Sequence, residues 1–414
     1  MSELKGAAIF AQSGGPTSVI NASAAGVITE ALKAGAMTDV YGSAHGIRGM
    51  LDDVIYDMSK EDKRELDLLL TTPSSALGSA RYKLKHYDED DRDYKKLLEL
   101  FRKYNIRYMY FNGGNDSMDT CSKVSRFMNN VGYECRVFGV PKTIDNDLWG
   151  TDHCPGYGSA AKYIVTSCME VALDAKVYDK GMIIIIEIMG RNAGWLTAAS
   201  ALASYNGLGP DLIYLPELPF NVDRFLGDVE TQYVEHGSAI IAISEGLRDV
   251  NGVYVPEMNY QDLAQDSFGH TQLGGAASVL GNLVKNHLNV KVRCIELSLL
   301  QRCAAHCASA TDVAEAFMAG QVAVQSSLEG KSGYMVGFER EKGPGYVCKP
   351  ILIDVQEVAN KEKKIPNEWI NEAGNGLNNQ FVEYALPLIQ GESVIAYEDG
   401  LPRFARLKKV RAII

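Results

Sequence analysis

The sequence predicts an α/β fold of doubly wound parallel sheets, and three observations lead to it. Short apolar runs alternate with longer amphipathic runs, several short runs are apolar on both faces, and glycines with small polar residues follow them. Strands that are apolar on both faces are typical of parallel sheets covered by helices. The length of 414 residues predicts two or three domains, each large enough to bury its own core.

The apolar runs give the predicted order of elements along the chain. Strands are predicted at 7–11, 108–112, 136–140, 182–188, 212–215 and 239–244. Helices are predicted at 18–33, 118–130, 159–175 and 222–235. A second sheet is expected to begin after the glycine loop at 156–158.

Several polar segments are expected to lie on the surface. The charge runs at 60–65 and 88–93 are interpreted as solvated loops or helix starts. The lysine-rich segment 361–364 and the Gly/Asn-rich segment 374–380 are interpreted as a late surface excursion.

Charge and hydropathy exclude some classes of partner. The chain has 41 Lys and Arg against 52 Asp and Glu, a net charge of −11, so it has no general attraction for nucleic acid or an anionic membrane. Its most apolar segment, 182–186, ends at Glu187 and falls far short of the roughly 20 residues of a membrane-spanning helix. No signal peptide precedes the first predicted strand, and eight cysteines are scattered along the chain. These features predict a soluble, cytoplasmic protein in a reducing compartment.

One group of cysteines has a spacing that metal ligands can use. Cys303, His306 and Cys307 stand at i, i+3 and i+4, which would place three ligands on one helix face. No fourth ligand follows nearby and the flanking sequence is rich in alanine. We therefore favour a packed helix with a buried, reduced cysteine pair over a metal site.

Glycines and small polar residues follow three predicted strands, at 12–18, 112–117 and 140–147. Ligands of open α/β sheets bind outside the carboxyl ends of the strands, where glycine lets the backbone approach a phosphate. Three such loops together indicate a phosphate site, whereas one glycine pair alone would indicate only a tight turn. The first loop has neither GxGxxG nor GxxxxGK[ST], which argues against a nicotinamide dehydrogenase and a P-loop enzyme.

The loop at 141–147 carries the densest chemistry, with two carboxylates, an amide, a hydroxyl and an ammonium in six positions. Such a stretch can also be a simple surface turn. If the loop is extended, alternation points Thr143, Asp145 and Asp147 the same way. That arrangement would supply a base, a magnesium-binding carboxylate and a hydroxyl for a moving phosphoryl group.

A series of short motifs occurs in order between residue 6 and about residue 340. They are Gly14 and Gly15 with Asn21, the stretch 77–81, Gly113 and Gly114, the stretches 143–147, 187–191 and 243–246, and Gln301 with Arg302. In this order and spacing they resemble the phosphofructokinase family, specifically its pyrophosphate-dependent members. The chain after about Glu341 is less diagnostic.

The resemblance implies the phosphofructokinase fold, in which two similar Rossmann-like domains with parallel sheets enclose the active site in the cleft between them. It implies that residues 1–155 with about 302–360 form a domain for the phosphoryl donor and magnesium. Residues 156–301 with the C-terminal return would form the sugar-phosphate domain.

Carried over by position, the resemblance implies that Asp145 deprotonates the 1-hydroxyl of the sugar, with Thr143, Asp147 and Arg191 as further catalytic residues. The implied donor site comprises Gly14, Gly15, Arg81, Gly114, Asp116 and Lys142. The implied sugar-phosphate site comprises Thr143, Asp145, Met189, Gly190, Arg191, Glu245, Arg293 and Arg302, and the implied Mg²⁺ site comprises Asn115, Asp116 and Asp147. One of the two arginines Arg293 and Arg302 would reach across a subunit interface, which implies a homodimer or a higher homo-oligomer.

Two positions indicate the donor. ATP-dependent relatives have glycine in place of Asp116 and usually in place of Lys142, which leaves room for the α-phosphate and ribose. A carboxylate and an ammonium stand there in this chain. The resemblance therefore implies reversible phosphoryl transfer from pyrophosphate to fructose 6-phosphate, a step of glycolysis and gluconeogenesis.

Departures from the family pattern leave some points open. Asn115 replaces the usual magnesium-binding aspartate, and Met182 and Leu299 replace an arginine and a histidine of the sugar-phosphate pocket. Other cations would have to rebuild that pocket, and Lys83, Lys180 and Lys291 are available in the sequence, although lysines are mostly solvated. Fructose 6-phosphate and a longer sugar phosphate such as sedoheptulose 7-phosphate both remain possible acceptors.

Two alternative functions were weighed against this interpretation. An ATP-dependent phosphofructokinase is disfavoured by Asp116 and Lys142. A non-catalytic paralogue that binds sugar phosphates and regulates a partner is disfavoured because Asp145 and Arg191 are both present, although Asn115 lends it some weight.

Overall fold

The computed structural model describes residues 4–178, 181–258, 275–359 and 361–413. The strands are β1 Gly6–Gln12, β2 Met37–Ser43, β3 Ile55–Asp57, β4 Ile106–Gly113, β5 Arg136–Pro141, β6 Ile183–Ile188, β7 Leu212–Tyr214, β8 Ala239–Ser244, β9 Val292–Glu296, β10 Tyr334–Arg340, β11 Cys348–Asp354, β12 Tyr397–Glu398 and β13 Leu401–Pro402. The α-helices are α1 Ile20–Lys33, α2 Ile47–Leu51, α3 Lys63–Leu68, α4 Arg92–Lys103, α5 Asn115–Asn130, α6 Tyr157–Ala175, α7 Trp195–Ala199, α8 Ala201–Tyr205, α9 Val222–His236, α10 Ala276–Leu288, α11 Leu300–Cys303, α12 Ala310–Leu328, α13 Val355–Val358 and α14 Asn379–Ala385. None of these helices is both long and apolar enough to cross a membrane.

Two sheets organise the described chain, and β12 with β13 forms a separate small hairpin. The first sheet has the order β11-β10-β5-β4-β1-β2-β3, and the second has the order β7-β8-β6-β9. The second sheet is entirely parallel, and so are the five central strands of the first, from β10 to β2. The outermost strands of the first sheet, β3 and β11, pair antiparallel.

The predicted α/β class is confirmed, and each predicted strand and helix is present with its ends within three residues of the prediction. The analysis of apolar runs did not identify β2, β9, β10 or β11. Strand β9 is a half-exposed edge strand that carries the charged residues Arg293 and Glu296, so it lacks the continuous apolar run that a buried parallel strand shows.

Helix α12 packs against α1, and the backbones of the two helices approach each other very closely. A Cβ atom at Gly26 would lie 2.1 Å from the Phe317 carbonyl oxygen, and one at Gly320 would lie 2.4 Å from the Ser23 carbonyl oxygen. Only glycine permits this approach of two backbones. In its first turn α12 carries the buried Asp312, whose carboxylate accepts hydrogen bonds from backbone N–H groups at the start of α6.

The charge run at 60–65 is not simply a solvated surface, as the sequence analysis expected. Glu61 is buried and accepts hydrogen bonds from the backbone N–H groups of Lys408 and Lys409. Glu65 forms an ion pair with Arg403. Because buried carboxylates need partners, the C-terminal segment folds back onto this run.

Candidate functional site

A cavity of about 660 Å³ opens where the strands of the two sheets end. Most of its lining comes from loops that follow strands, namely residues 13–16 and 114–117, residues 142–145 with Asp147, Met189 with Arg191 and Asn192, and Glu245. Such loops at the carboxyl ends of parallel strands are the usual ligand sites of open α/β sheets. The three loops that the sequence marked for phosphate therefore meet at one place.

Most of the expected site residues line this cavity. They are Gly14, Gly15, Arg81, Gly114, Asn115, Asp116, Lys142, Thr143, Asp145, Asp147, Met189, Arg191, Glu245 and Arg302. Gly190 lies behind the wall, and Arg293 lies on the half-exposed strand β9 outside it.

The first loop presents its backbone to the cavity. Gly14 has a left-handed conformation (φ 74°), and its carbonyl oxygen accepts a hydrogen bond from the Ser79 hydroxyl at 2.7 Å. A Cβ atom at Gly15 would lie 3.1 Å from the Arg302 Nη1 atom. The loop therefore suits glycine both by conformation and by space.

Three cationic side chains surround this loop. Lys142 is buried, and its ammonium donates to the Gly15 carbonyl oxygen at 2.6 Å. Burial lowers the pKa of Lys142 to about 8, although the charge of Asp145 opposes the shift. Burial and then the charge of Arg81 lower the pKa of Arg302. Lysine and arginine charges held this close to each other favour an anion with several negative charges.

Helix α5 begins at the cavity wall. Gly114 precedes it, and Asn115 and Asp116 lie in its first turn, where backbone N–H groups are available to an anion. Asp116 is exposed, and its Oδ1 atom lies 3.9 Å from the Lys83 ammonium. The carboxylate therefore lies at the edge of the cavity, beside Lys83.

The loop after β5, residues 142–147, is a turn and not the extended segment that the alternation argument assumed. Asn146 has a left-handed conformation (φ 56°), its Nδ2 donates to the Tyr384 hydroxyl at 2.8 Å, and its Oδ1 accepts from the Cys154 N–H at 2.9 Å. Thr143, Asp145 and Asp147 nonetheless line the same cavity. The buried Asn146 side chain fixes this turn, which the pattern of polar residues alone did not reveal.

The two carboxylates of this turn lie in a poorly solvated position. Burial raises the pKa of Asp145, and the charges of Lys142 and Arg191 oppose the shift. Burial and then the charge of Asp145 raise the pKa of Asp147 to about 7. Two adjacent buried carboxylates repel each other, so a proton or a cation beside them is strongly favoured.

The opposite wall is built from the ends of β6 and β8. Gly190 (φ 138°) donates its backbone N–H to the Glu245 carboxylate at 3.3 Å, and the Ser244 hydroxyl donates to the Gly190 carbonyl oxygen at 2.5 Å. Met189 N donates to the Gln301 side chain at 3.3 Å. Burial raises the pKa of Glu245 to about 7. Within the part of the chain that the structure describes, this wall offers hydrogen-bond acceptors and the cation Arg191.

The lysines considered for the sugar phosphate do not line the cavity within the described residues. Lys291 lies over the Tyr178 ring at 5.2 Å, and Lys83 lies beside Asp116. Lys180 is outside the described residues.

The expectation for Cys303, His306 and Cys307 was wrong. Helix α11 ends at Cys303, and Ala304 has a non-helical ψ of 72°, so the three side chains do not share a helix face. Cys303 is exposed and Cys307 is half-buried, so they are not a buried pair.

A different set of potential metal ligands lies close together in the described chain. It consists of His153, Glu315 and Cys348, away from the cavity. Both ring nitrogens of His153 already bind carboxylates, those of Asp152 and Glu315 at 2.9 and 2.6 Å. The imidazole therefore has its partners without an ion.

Sequence reasoning did not single out several residues of the cavity wall, among them Tyr82, Thr120, Asn192 and Glu362. Asn192 directly follows the expected Arg191, so its position was a usable signal. Glu362 comes from the segment 361–364 that was interpreted as a surface excursion. That interpretation was wrong for Lys363, whose ammonium donates to the Asp152 carbonyl oxygen at 2.7 Å, whereas Glu362 is exposed as expected and also lines the cavity.

Comparison with known proteins finds one family over most of the chain. Residues 7–340 match the family model described as Phosphofructokinase. A protein of Xanthomonas campestris pv. campestris (strain B100) named pyrophosphate–fructose 6-phosphate 1-phosphotransferase is 44% identical over 409 residues, covering 97% of this chain and 96% of that protein. Crystal structures of pyrophosphate-dependent phosphofructokinases from Nitrosospira multiformis and Marinobacter aquaeolei match with TM-scores of 0.90 and 0.87 and identities of 38% and 39%, each covering 99% of this chain and 98% of theirs.

Proposed function

The chain belongs to the phosphofructokinase family, and we propose that it transfers a phosphoryl group reversibly from pyrophosphate to the 1-hydroxyl of fructose 6-phosphate. The products are fructose 1,6-bisphosphate and phosphate. The observation that carries the choice of donor is the cluster of Arg81, Lys142 and Arg302 around Gly14 and Gly15. Arg302 was expected at the sugar phosphate, and we reassign it to the donor because it lies beside Gly15. Three cations at one loop suit the concentrated charge of pyrophosphate.

The proposed proton transfer uses the turn after β5. Asp145 accepts the proton of the 1-hydroxyl as its oxygen attacks the phosphorus of the donor, and the Thr143 hydroxyl contacts the transferred group. The raised pKa of Asp145 supports this role because burial makes its carboxylate a stronger base. The leaving phosphate keeps the bonding electron pair, and Lys142 and Arg302 neutralise its charge.

The acceptor lies against the opposite wall in this proposal. Met189, Gly190 and Arg191 contact the sugar phosphate, and Glu245 accepts hydrogen bonds from sugar hydroxyls. The Gly190 N–H to Glu245 hydrogen bond supports the assignment because it fixes the carboxylate while leaving it on the cavity wall. Arg293 is assigned to the active site of a second subunit, and its exposed position on β9 supports at least a homodimer.

The donor set of the first wall fits a divalent cation, which family members generally need. Asn115 satisfies both its polar atoms when its Nδ2 donates to the carbonyl oxygens of Val358 and Lys361, at 3.1 and 3.2 Å. Its amide oxygen then lies on the side of Asp147, whose carboxylate is poorly solvated. Oxygen ligands without protons suit Mg²⁺. We assign Mg²⁺ to Asn115, Asp116 and Asp147, where it would neutralise phosphate oxygens of the donor.

We also assign the two substrates to different parts of the chain. We assign the donor and the metal to residues 1–155 with about 302–360, since β10 and β11 join the first sheet. The sugar phosphate is assigned to residues 156–301 with the C-terminal return. We place the enzyme in the cytoplasm, in glycolysis and gluconeogenesis, and its eight free thiols support a reducing compartment.

One assay tests the proposed function. The protein is incubated with Mg²⁺ and fructose 6-phosphate, with pyrophosphate or ATP as the sole donor, and fructose 1,6-bisphosphate is measured. We expect kcat/KM for pyrophosphate to exceed that for ATP by orders of magnitude, and chelation by EDTA to abolish turnover. Comparable values for the two donors would overturn the donor assignment, and no turnover with either would favour the regulatory alternative.

A further inference from the structure

The strap, residues 361–366, runs from one wall of the cavity to the other. On the side of the base it follows the backbone after Asp147: Glu362 forms an antiparallel bridge with Leu148, and the Lys363 N–H donates to the Asp147 carbonyl oxygen at 2.8 Å. The strap is therefore attached to the turn that carries Asp145.

The same strap is attached to the sugar-binding wall. The Asn192 Nδ2 atom donates to the Glu362 Oε1 atom at 3.0 Å, and the Trp195 indole N–H donates to the Lys363 carbonyl oxygen at 2.9 Å. Both donors follow Arg191 closely in sequence. The strap thus bridges two loops whose relative position decides the distance between base and sugar.

The ends of the strap are fixed as well. In the amide orientation that satisfies both of its polar atoms, Asn115 donates to the carbonyl oxygens of Val358 and Lys361, where the strap begins. At the other end the Ile365 N–H donates to the Glu217 carboxylate at 3.3 Å, and the same carboxylate accepts the Gly194 N–H at 2.8 Å. A segment held at both ends and in the middle can transmit a fixed spacing.

Glu362 is the member of the strap that reaches the cavity. Among the described residues that line the cavity, it alone comes from beyond residue 340, where the family match ends. Its partner Asn192 is bound at both ends, since its Oδ1 accepts from the Arg248 guanidinium at 2.6 Å. Arg248 also donates to the Arg191 carbonyl oxygen, at 3.3 Å.

We propose that Glu362 is a positioning residue that holds the sugar-binding loop against the base through its hydrogen bond with Asn192. The inference rests on the proposed function and adds to it a residue from outside the region that the family model covers. Glu362 acts on the reaction indirectly, through the position of Arg191. Asn192 and Arg248 hold Arg191 at a fixed position relative to Asp145. Misplacing a binding group by about 1 Å can cost up to about 10²-fold in rate, so the bond matters out of proportion to its own strength.

Glutamine and alanine substitutions of Glu362 distinguish the effect of its hydrogen bond with Asn192 from the effect of its negative charge. In Glu362→Gln the side-chain oxygen can still accept from Asn192, so position is kept and charge is lost. In Glu362→Ala both are lost. Asn192→Ala removes the same hydrogen bond from its other end, and Glu368→Ala, at an exposed position outside the cavity, is the matched control.

The experiment measures kcat, the KM of each substrate and the dissociation constant of fructose 6-phosphate without donor. Tryptophan fluorescence reports that binding, because the three tryptophans of the chain are positioned around the strap: Trp149 under Lys361, Trp195 bonded to Lys363, and Trp369 just beyond the strap. For Glu362→Ala and Asn192→Ala we expect kcat/KM for fructose 6-phosphate to fall roughly 10-fold, with the KM of pyrophosphate little changed. Glu368→Ala should resemble the wild type. Glu362→Gln should keep the KM and the dissociation constant of fructose 6-phosphate near those of the wild type, although it removes one of the charges that raise the pKa of Asp145.

The double variant Glu362→Ala with Asn192→Ala should be no worse than either single variant, since both remove one bond. Additive losses would overturn the proposal, and so would a Glu362→Gln loss equal to that of Glu362→Ala, or a Glu362→Ala variant with wild-type constants. Thermal unfolding midpoints identify any variant that fails to fold. If an alanine variant fails, the test rests on the dissociation constant of fructose 6-phosphate for Glu362→Gln. A wild-type protein inactive with fructose 6-phosphate would instead contradict the proposed function.

Discussion

The two walls of the cavity differ in how they carry charge. The wall of the first sheet brings together Arg81, Lys142 and Arg302 around a glycine loop and faces them with two buried carboxylates. The wall of the second sheet offers Arg191 and Glu245 and is held by backbone hydrogen bonds. The difference suggests that one wall neutralises phosphate charge while the other orients a neutral hydroxyl, so damage to the first should affect kcat and damage to the second should affect KM.

The sharpest test of this contrast is Asp145→Asn, on the first wall. The amide has the same shape but cannot accept the proton, so we expect kcat to fall about 10²–10⁴-fold with KM changed much less. Steady-state kinetics with pyrophosphate and fructose 6-phosphate measure this, with Asp147→Asn for comparison. A near-wild-type kcat would exclude Asp145 as the base and leave Asp147 in its place.

The donor residues of the same wall should give the next largest effect. Asp116→Gly removes bulk and negative charge at the cavity edge and should raise kcat/KM for ATP. Lys142→Gly also opens space, but it removes an ammonium from the donor and should cost roughly 10²–10³-fold with pyrophosphate. Because both side chains border one site, we expect the ATP gain of the double variant to exceed the product of the single gains.

Measuring kcat/KM for both donors across this four-member cycle checks the prediction. Lys142→Met is the control that keeps most of the bulk and loses the charge, so it should lose pyrophosphate activity without gaining ATP activity. A double variant that stays specific for pyrophosphate would place donor selection elsewhere, in the loop from Gly14 to Ser18.

On the second wall, Glu245→Gln should raise the KM of the sugar phosphate by roughly 10-fold at a pH above the Glu245 pKa of about 7, because hydrogen bonds to a charged acceptor are stronger than those to an amide. We expect the KM of pyrophosphate to stay near its original value, since Glu245 lies across the cavity from the donor loop. Glu257→Gln, in the same half but outside the cavity, serves as control. A larger effect on pyrophosphate than on the sugar would contradict the division between the walls.

The smallest predicted effect concerns the stability of the second sheet. Glu187 is buried in β6, its carboxylate accepts the Ala277 N–H at 2.8 Å, and burial followed by the charge of Glu296 raises its pKa to about 7. A carboxyl whose pKa is higher in the folded state stabilises fully at low pH, and that stability is lost as the pH rises through the folded pKa. The free energy of unfolding should therefore fall between about pH 4.5 and pH 7, by at most about 1.4 kcal/mol per pH unit for this group.

Urea unfolding of the ligand-free protein across this range measures the slope. Glu187→Gln should make it shallower, though Asp147 and Glu245 contribute with the same sign. Glu235→Gln, at an exposed position, should leave the slope unchanged. An unchanged slope in Glu187→Gln would mean that the folded protein does not hold this carboxyl protonated.

Local sequence patterns were sufficient for the buried strands and for the loops that follow them. A parallel strand buried on both faces needs a continuous apolar run, and β1, β4, β5, β6 and β8 each have one. A loop that admits phosphate needs glycine, which the sequence shows directly at Gly14 and Gly114. The fold class, the family and most of the cavity residues therefore follow from short stretches of sequence.

Only the tertiary structure decided which distant segments complete the cavity. Asn146 fixes its turn through Tyr384, and Glu362 enters the wall through Asn192, contacts that span hundreds of residues and leave no periodic pattern. A polar residue that packs against a remote partner looks the same in sequence as one that faces solvent, as Glu61 and Lys363 both illustrate. The physical reason is that hydrogen bonds between remote side chains form only once the sheets have brought their loops together, whereas burial of an apolar run is encoded locally.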